Sequence, residues 1–369
     1  MPALTQDAVG QYARFAAADL PTTDQEIWRY SRIDELDLAA YHPVDYTPSI
    51  VGPTEFVTIG GDAVELFPDE TPDVFAEINR AIPTLVHIRI PAGKVISESI
   101  EITHTIPADG AVVCPRLVID AGADCEVTVV ERFVSAADGP SLVVPVVQIH
   151  AGQAARVNYL AVNELSHDAW QIGNQQAVGD RDSTTLLASV SLGGDYARVR
   201  TEVRLSGRGG STRQVALYFA GGNQMHDFRT IQDHDAPHTT SDLLFKGAVQ
   251  DHARSVYTGL IKIREHARGT TAFQTNRNLT LSAGAWAESV PNLDIRTNDV
   301  KCSHASTIGP IDEEQRFYLE SRGIRPEVAE RLVVLGFFDE VLSQLPAGHL
   351  AVELRERVAA KLNIGKAGS

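Results

Sequence analysis

Cysteine is scarce: Cys114, Cys125 and Cys302 are the three in 369 residues. They are odd in number, widely spaced and without a C-x-x-C pair, which excludes a disulfide framework and a four-thiolate cluster site. Positive charge is also short. The 32 Lys and Arg against 48 Asp and Glu leave a net charge of −16, which repels phosphate backbones and anionic lipid alike. Nucleic-acid and membrane-surface binding are therefore not expected. No apolar run is long enough to span a bilayer, and the first twenty residues, interrupted by Asp7, Arg14 and Asp19, lack the basic and apolar regions of a secretory leader. A cytoplasmic protein is expected. Neither G-x-x-x-x-G-K-[ST] nor G-x-S-x-G occurs, so a P-loop and a nucleophile elbow are missing.

What is present is enough apolar sequence, 43%, for a large core, and a change of period along the chain. An Ala-rich amphipathic run predicts a helix over 6–18, and Thr23 to Glu26 has the spacing of a capping box opening a second short helix. Trp28 reads as a packing anchor for these helices. Prolines at 43, 48, 53, 68 and 72 predict extended or irregular backbone from Tyr41 to Asp73.

From about Leu85 to Ile295 the period is two. In Arg198 to Leu205, Val199, Thr201, Val203 and Leu205 share one face and the charges share the other. Similar strands recur at Val86/Ile88/Ile90, Val127/Val129, Val157/Tyr159, Val215/Leu217/Phe219, Ile261/Ile263 and Leu279/Leu281. So many strands without helices between them exclude a doubly wound α/β fold. Gly209-Gly210 and Gly221-Gly222 fall between strands and read as turns. Ala-Arg pairs end at residues 156, 198, 254 and 268, separated by multiples of fourteen, which hints at the stacked turns of a solenoid. A β-sandwich or double-stranded barrel remains the competing architecture.

Helical period returns after Pro310: Asp312 can cap a first helix, Gly323 ends it, Pro326 starts a second, and a third runs from about His349 to Leu362. Their apolar stripes must cover either the last turn of the β body or another protein. The expected division is 1–80 (helices and Pro-rich linker), 81–309 (β core) and 310–369 (helical domain).

Two constellations could carry chemistry. In Asp299 to Gly309, an extended backbone would put Cys302 and His304 on one face with Ser303 on the other, and a thiolate beside an imidazole suits iron or zinc. Two ligands do not close a site, so further donors would have to come from elsewhere in the fold or from a partner chain. The same spacing also fits a small buried cysteine and an ordinary hydrogen-bonded histidine, the commoner situation. The second constellation is His226, His234 and His238, a candidate mononuclear site for a β-helical or cupin-like metalloenzyme. Pro237 forbids a helical H-E-x-x-H there, and turn histidines bonded to backbone carbonyls are the plainer account. Carboxylate pairs on the strands could serve polysaccharide cleavage, but a cytoplasmic chain seldom meets such polymers.

Tyr257 to Ile263, Thr271 to Ser282, Pro291-Asn292-Leu293-Asp294-Ile295, Val300-Lys301-Cys302-Ser303-His304 and Asp312 to Gly323 together resemble the SufB/SufD family of iron–sulfur cluster assembly scaffolds. Glu26-Ile27-Trp28-Arg29-Tyr30 is similar to the N-terminal pattern of the SufD branch. SufB-like chains carry a cluster-building cysteine and a glutamate where this chain has Ile295 and Ala305. The Lys-Cys-Ser-His that remains is of SufD type, although Ala305-Ser306 stands where members more often have Gly-Ala. The resemblance implies a right-handed parallel β-helix core flanked by N- and C-terminal helical regions, and a non-enzymatic scaffold. It implies a SufB-like partner on the β-helix, a SufC-like ATPase on the C-terminal helices and no tightly bound cofactor; whether the chain alone forms a homodimer is left open. His304 would then be a ligand to a transient iron–sulfur cluster or iron at a shared interface, with Cys302 either a second ligand or a structural residue. ATP hydrolysis in the ATPase would move the helical domains and open that interface. A solenoid that binds no metal is the third reading.

Overall fold

The computed structural model describes residues 6–61, 66–67 and 72–364; the prolines at 68 and the linker residues around it fall outside the described residues. From Thr84 to Gly309 the chain alternates between two sheets, forming a parallel β-solenoid of about 8 turns. One sheet runs from Thr84–Ile90 through Met225–His234 and Arg254–Ile263 to Trp286–Ile295. The other runs from Ile100–Ile106 through Ser211–Ala220, Thr240–Val249 and Thr270–Thr280 to Val300–Gly309. Each strand pairs in parallel with its equivalent one turn away, which rules out a sandwich of antiparallel strands. Successive turns are 26 residues apart where Trp170 meets Tyr196 and 32 apart where Arg254 meets Trp286. The fourteen-residue spacing of Ala-Arg pairs is thus not a register: Arg198 aligns with Asp227 and Val256, not with Arg254.

One corner explains how the turns stack. Asp124, Ala154, Asp182, Gly209, His238 and Gly269 all have positive φ and lie above one another in register. Their N–H groups donate to Gln153, Arg181, Arg208, Pro237, Arg268 and Asp299 carbonyls one turn on, at 2.7–3.2 Å. The next residue inward is small at every level: Cys125, Ala155, Ser183, Gly210, Thr239 and Thr270. Asp, Gly and His suit the left-handed conformation, and small side chains suit the crowding behind it.

The interior is mixed. Val127, Val157, Ile119 and Ile149 fill the early turns, while Ala216, Tyr218, Phe228, Leu243, Phe245 and Tyr257 fill the later ones. Several polar groups there are bonded to one another: Tyr159 donates to Glu131 Oε2 at 2.5 Å, and His104 lies 2.8 Å from Glu131 Oε1. Tyr218 donates to Asn278 Oδ1 at 2.7 Å. Its ring lies over Gly247, where an added Cβ would come 1.9 Å from Tyr218 Cε2. His226 and His234 are fully buried on one strand; burial, reinforced for His226 by Lys361, holds their basicity down to about 3 and about 4.

Helix α1 (Gln6–Ala16) and helix α2 (Val74–Ala81) pack on the first sheet's flank, α2 capped by Asp73, which accepts from Ala76 N–H at 3.0 Å. The sequence pattern did not reveal α2. Trp28 is buried against Phe75, with the Arg198 guanidinium 4.3 Å above its ring. The capping box at Thr23 does not form: Thr23 donates to Asp34 Oδ2 at 2.7 Å, and Glu26–Trp28 makes a single 3₁₀ turn. Part of the Pro-rich stretch is extended, with Ser49–Val51 and Val57–Ile59 adding antiparallel to the first turn.

After the solenoid come α3 (Glu313–Ser321), α4 (Pro326–Leu342) and α5 (Leu350–Ile364). Asp312 caps α3 by accepting from Glu314 and Gln315 N–H groups. Val334, Leu335, Phe338, Val341, Leu354 and Val358 of α4 and α5 join Leu160, Val162, Val190, Val215, Leu217 and Phe219 in one core. These helices therefore cover the outer face of the second sheet along its middle turns, not the last turn.

Two outcomes follow for folding. Replacing Gly247 by Ala forces Tyr218 and its bonds to Asn276 and Asn278 apart, costing about 1–3 kcal/mol, read as a lower urea midpoint. Between pH 6.5 and 4 the unfolded chain binds protons at residues 226 and 234 that the folded chain excludes, so stability falls as pH drops through that window. Denaturation curves of His226→Gln and His234→Gln should lose part of this acid sensitivity.

Candidate functional site

The solenoid ends on two strands that pair on one side only: Trp286–Ile295 bonds to Arg254–Ile263, and Val300–Gly309 bonds to Thr270–Thr280. In Thr270–Thr280 the buried residues are Thr270, Ala272, Gln274, Asn276 and Asn278, which marks the inward face. Register carries that face to Val300, Cys302, His304, Ser306 and Ile308 on the final strand. The opposite sheet continues its inward column Tyr257, Gly259, Ile261, Ile263 into Ser289, Pro291, Leu293 and Ile295. With no further turn above them, Leu293, Ile295 and Ile308 are 41%, 39% and 41% exposed. The end of the core is open.

Cys302 and His304 sit in this opening, on an extended backbone and on the same face, as the two-residue spacing predicts. Cys302 is half-buried against Ile261, Ile263, Ala267 and Ala272, and burial pushes its thiol above the ordinary cysteine value. In the free chain it is a protonated thiol at neutral pH; a bound cation must displace that proton to obtain the thiolate ligand. His304 is exposed and lies beside Gln274. Ser303 faces out, and Ala305 shares its side of the strand. Ile295, on the neighbouring edge strand, supplies only hydrocarbon. The chain thus offers one sulfur and one imidazole nitrogen, and the remaining coordination would have to come from sulfide or from another protein.

The other constellation is dispersed. His226 and His234 are eight residues apart on one extended strand, about 26 Å by strand rise. His226 Nε2 lies 3.2 Å from the Gly193 carbonyl. His234 lies between Thr239 Oγ1 at 2.7 Å and Ser241 Oγ at 2.8 Å. His238 holds the left-handed corner position above Gly269. Among the described residues no group of three or more His, Cys, Asp or Glu is placed to hold a metal ion, so the three histidines do not form the mononuclear site considered above.

The sequence pattern missed the double edge, although the alternation in Pro291 to Ile295 and Val300 to Ile308 contains it. It also missed how α3 is presented: Phe317 and Tyr318 are 70% and 57% exposed beside a groove formed with Leu332, Val333 and Phe337. No helix among the described residues is long and apolar enough to cross a membrane.

The family model for the SUF system FeS cluster assembly SufBD core domain matches residues 104–337, from the second sheet's first strand into α4. The iron–sulfur cluster assembly SufBD family protein of Mycobacterium leprae is 36% identical over 275 residues, covering 72% of this chain and 68% of that protein. The iron–sulfur cluster assembly protein SufD of Escherichia coli is 30% identical over 329 residues, covering 86% and 77%. SufD of Bacillus subtilis is 30% identical over 261 residues, covering 70% and 59%. An unclosed parallel solenoid, a Cys-x-His at its open end and these similarities agree: the chain belongs to the SufBD family of iron–sulfur cluster assembly proteins of the SUF system.

Proposed function

We propose that this chain is a cytoplasmic, non-enzymatic scaffold subunit that works with a SufB-like and a SufC-like partner. In this reading it contributes His304 and Cys302 to a cluster built where its open solenoid end meets the SufB-like chain. The observation that carries the reading is the unfinished last turn: two strand edges, three apolar side chains and His304 are exposed together, with Cys302 half-buried beside them. Edge pairing by another β-solenoid would satisfy the free N–H and C=O groups, cover Leu293, Ile295 and Ile308, and bring further ligands to the same place. Without that partner, the same edges suit self-association into a homodimer.

Iron and sulfide are the cargo of this process. The imidazole of His304 is accessible as it stands, whereas Cys302 requires proton loss, which the charge of an arriving iron ion promotes. A half-buried, protonated thiol is protected from stray oxidation until metal and partner are both present.

The C-terminal helices are proposed to dock the SufC-like ATPase through α3 and the groove beside it, since α3 has no buried residue. Movement of α4 and α5 would have to break the shared core and the clamps Arg132 to Glu353 at 2.7 Å and Lys246 to Glu340 at 2.5 Å. A coupled motion is therefore better supplied by α3 against α4 than by the whole helical domain leaving the solenoid.

Two measurements test this reading. After anaerobic co-expression with SufB- and SufC-like partners, His304→Ala should lower iron, sulfide and visible absorbance of the purified complex several-fold, with Cys302→Ala reporting whether the thiol is a second ligand. Unchanged cluster content in His304→Ala removes the ligand role. Separately, Leu293→Lys with Ile308→Lys should abolish copurification with the SufB-like partner while the SufC-like partner is retained. Retention of both partners contradicts the proposed interface.

A further inference from the structure

We propose that Gln274 is a positioning residue for His304: its side-chain oxygen, unpaired as the exposed ring stands in this structure, accepts the hydrogen of one imidazole nitrogen once the ring turns onto it, and leaves the other free to face the arriving metal. The inference rests on the reading of His304 as a ligand, and three features of the last two turns carry it.

First, Gln274 and His304 are directly paired in register on adjacent parallel strands and share the inward face, a strand spacing of about 4.8 Å that a glutamine amide readily bridges. Second, Gln274 is buried, at 2% exposure, and its Oε1 has no hydrogen-bond partner. A buried amide oxygen is seldom left unpaired unless something else completes it. Third, the amide is oriented by its surroundings. Gly259, across the interior, leaves a notch that the amide nitrogen occupies: a Cβ there would lie 2.3 Å from Gln274 Nε2 and 2.5 Å from the Tyr257 hydroxyl. With the nitrogen in the notch, the oxygen turns away from it.

The column supplies one donor. Behind Gln274 in register stands Leu243, which has no polar atom; in front stands His304. Cys302 and Ser306 are its diagonal neighbours, beside Ala272 and Asn276. A neutral imidazole has one N–H and one lone pair, so donation to Gln274 fixes which nitrogen is left as the ligand atom and orients the ring, as outer hydrogen bonds do for metal-binding histidines generally.

The test separates this contact from the ligand role. Histidine-selective ¹⁵N labelling of the full chain, with the His304 signals identified by their loss in His304→Ala, gives the tautomer ratio of that ring at one fixed alkaline pH without any metal. One tautomer should dominate in the parent chain. Gln274→Leu should return the ring to a mixture, and Gln274→Glu, which keeps the oxygen and the shape, should restore the bias. In the complex with the SufB-like partner, Gln274→Leu should weaken iron(II) binding about 10–100-fold. An unchanged tautomer ratio in Gln274→Leu overturns the inference, whatever His304→Ala does to iron content. A reset ratio with unchanged iron in His304→Ala supports the contact and overturns the ligand reading instead.

Discussion

In-register parallel stacking is the constraint on which everything else in this molecule depends. Each turn repeats the backbone bonds and side-chain columns of the turn before it, so every column is buried by its neighbours on both sides. The scheme has no internal way to stop. At the N-terminal end the antiparallel pieces Ser49–Val51 and Val57–Ile59 break the repeat. At the C-terminal end the strands Trp286–Ile295 and Val300–Gly309 have nothing above them, and α4 and α5 turn aside to the outer face of the second sheet. Apolar side chains, unpaired backbone and metal-capable groups are consequently presented at one place.

That placement gives the sparse chemistry of the chain its meaning. A lone Cys-x-His pair inside a closed core would be packing. At an open end it could serve as half of the proposed site, and burial, which raises the Cys302 thiol, would keep that half dormant in the free chain. The histidines at 226 and 234 show the contrast: buried, neutral and bonded to a carbonyl or to hydroxyls, they belong to the wall of the solenoid.

Much of this was legible in the residues. Period-two alternation in Arg198 to Leu205 separated the inward from the outward face, and Asp312, Gly323 and Pro326 marked the helix ends because caps act locally. The extended run through Cys302 and His304 was equally local. Register was not legible, because a turn of 26 to 32 residues depends on corner lengths that vary, and evenly spaced Ala-Arg pairs mimic a repeat without sharing a column. The capping box at Thr23 failed for a similar reason: a tertiary bond to Asp34 took the hydroxyl that a local cap would have used. The openness of the last turn was invisible for a different reason, since exposure of Leu293 and Ile308 is decided by where α4 and α5 pack.

The central claim is that another protein completes the open end of the solenoid. Amide hydrogen exchange across residues 286–309, measured on the isolated chain and on its complex with a SufB-like partner, tests it most directly. The account predicts fast exchange in a dilute monomer at the outward amides of both edge strands and strong protection of the same amides in the complex. Equal protection in the two states, or protection gained only in the C-terminal helices, would contradict it.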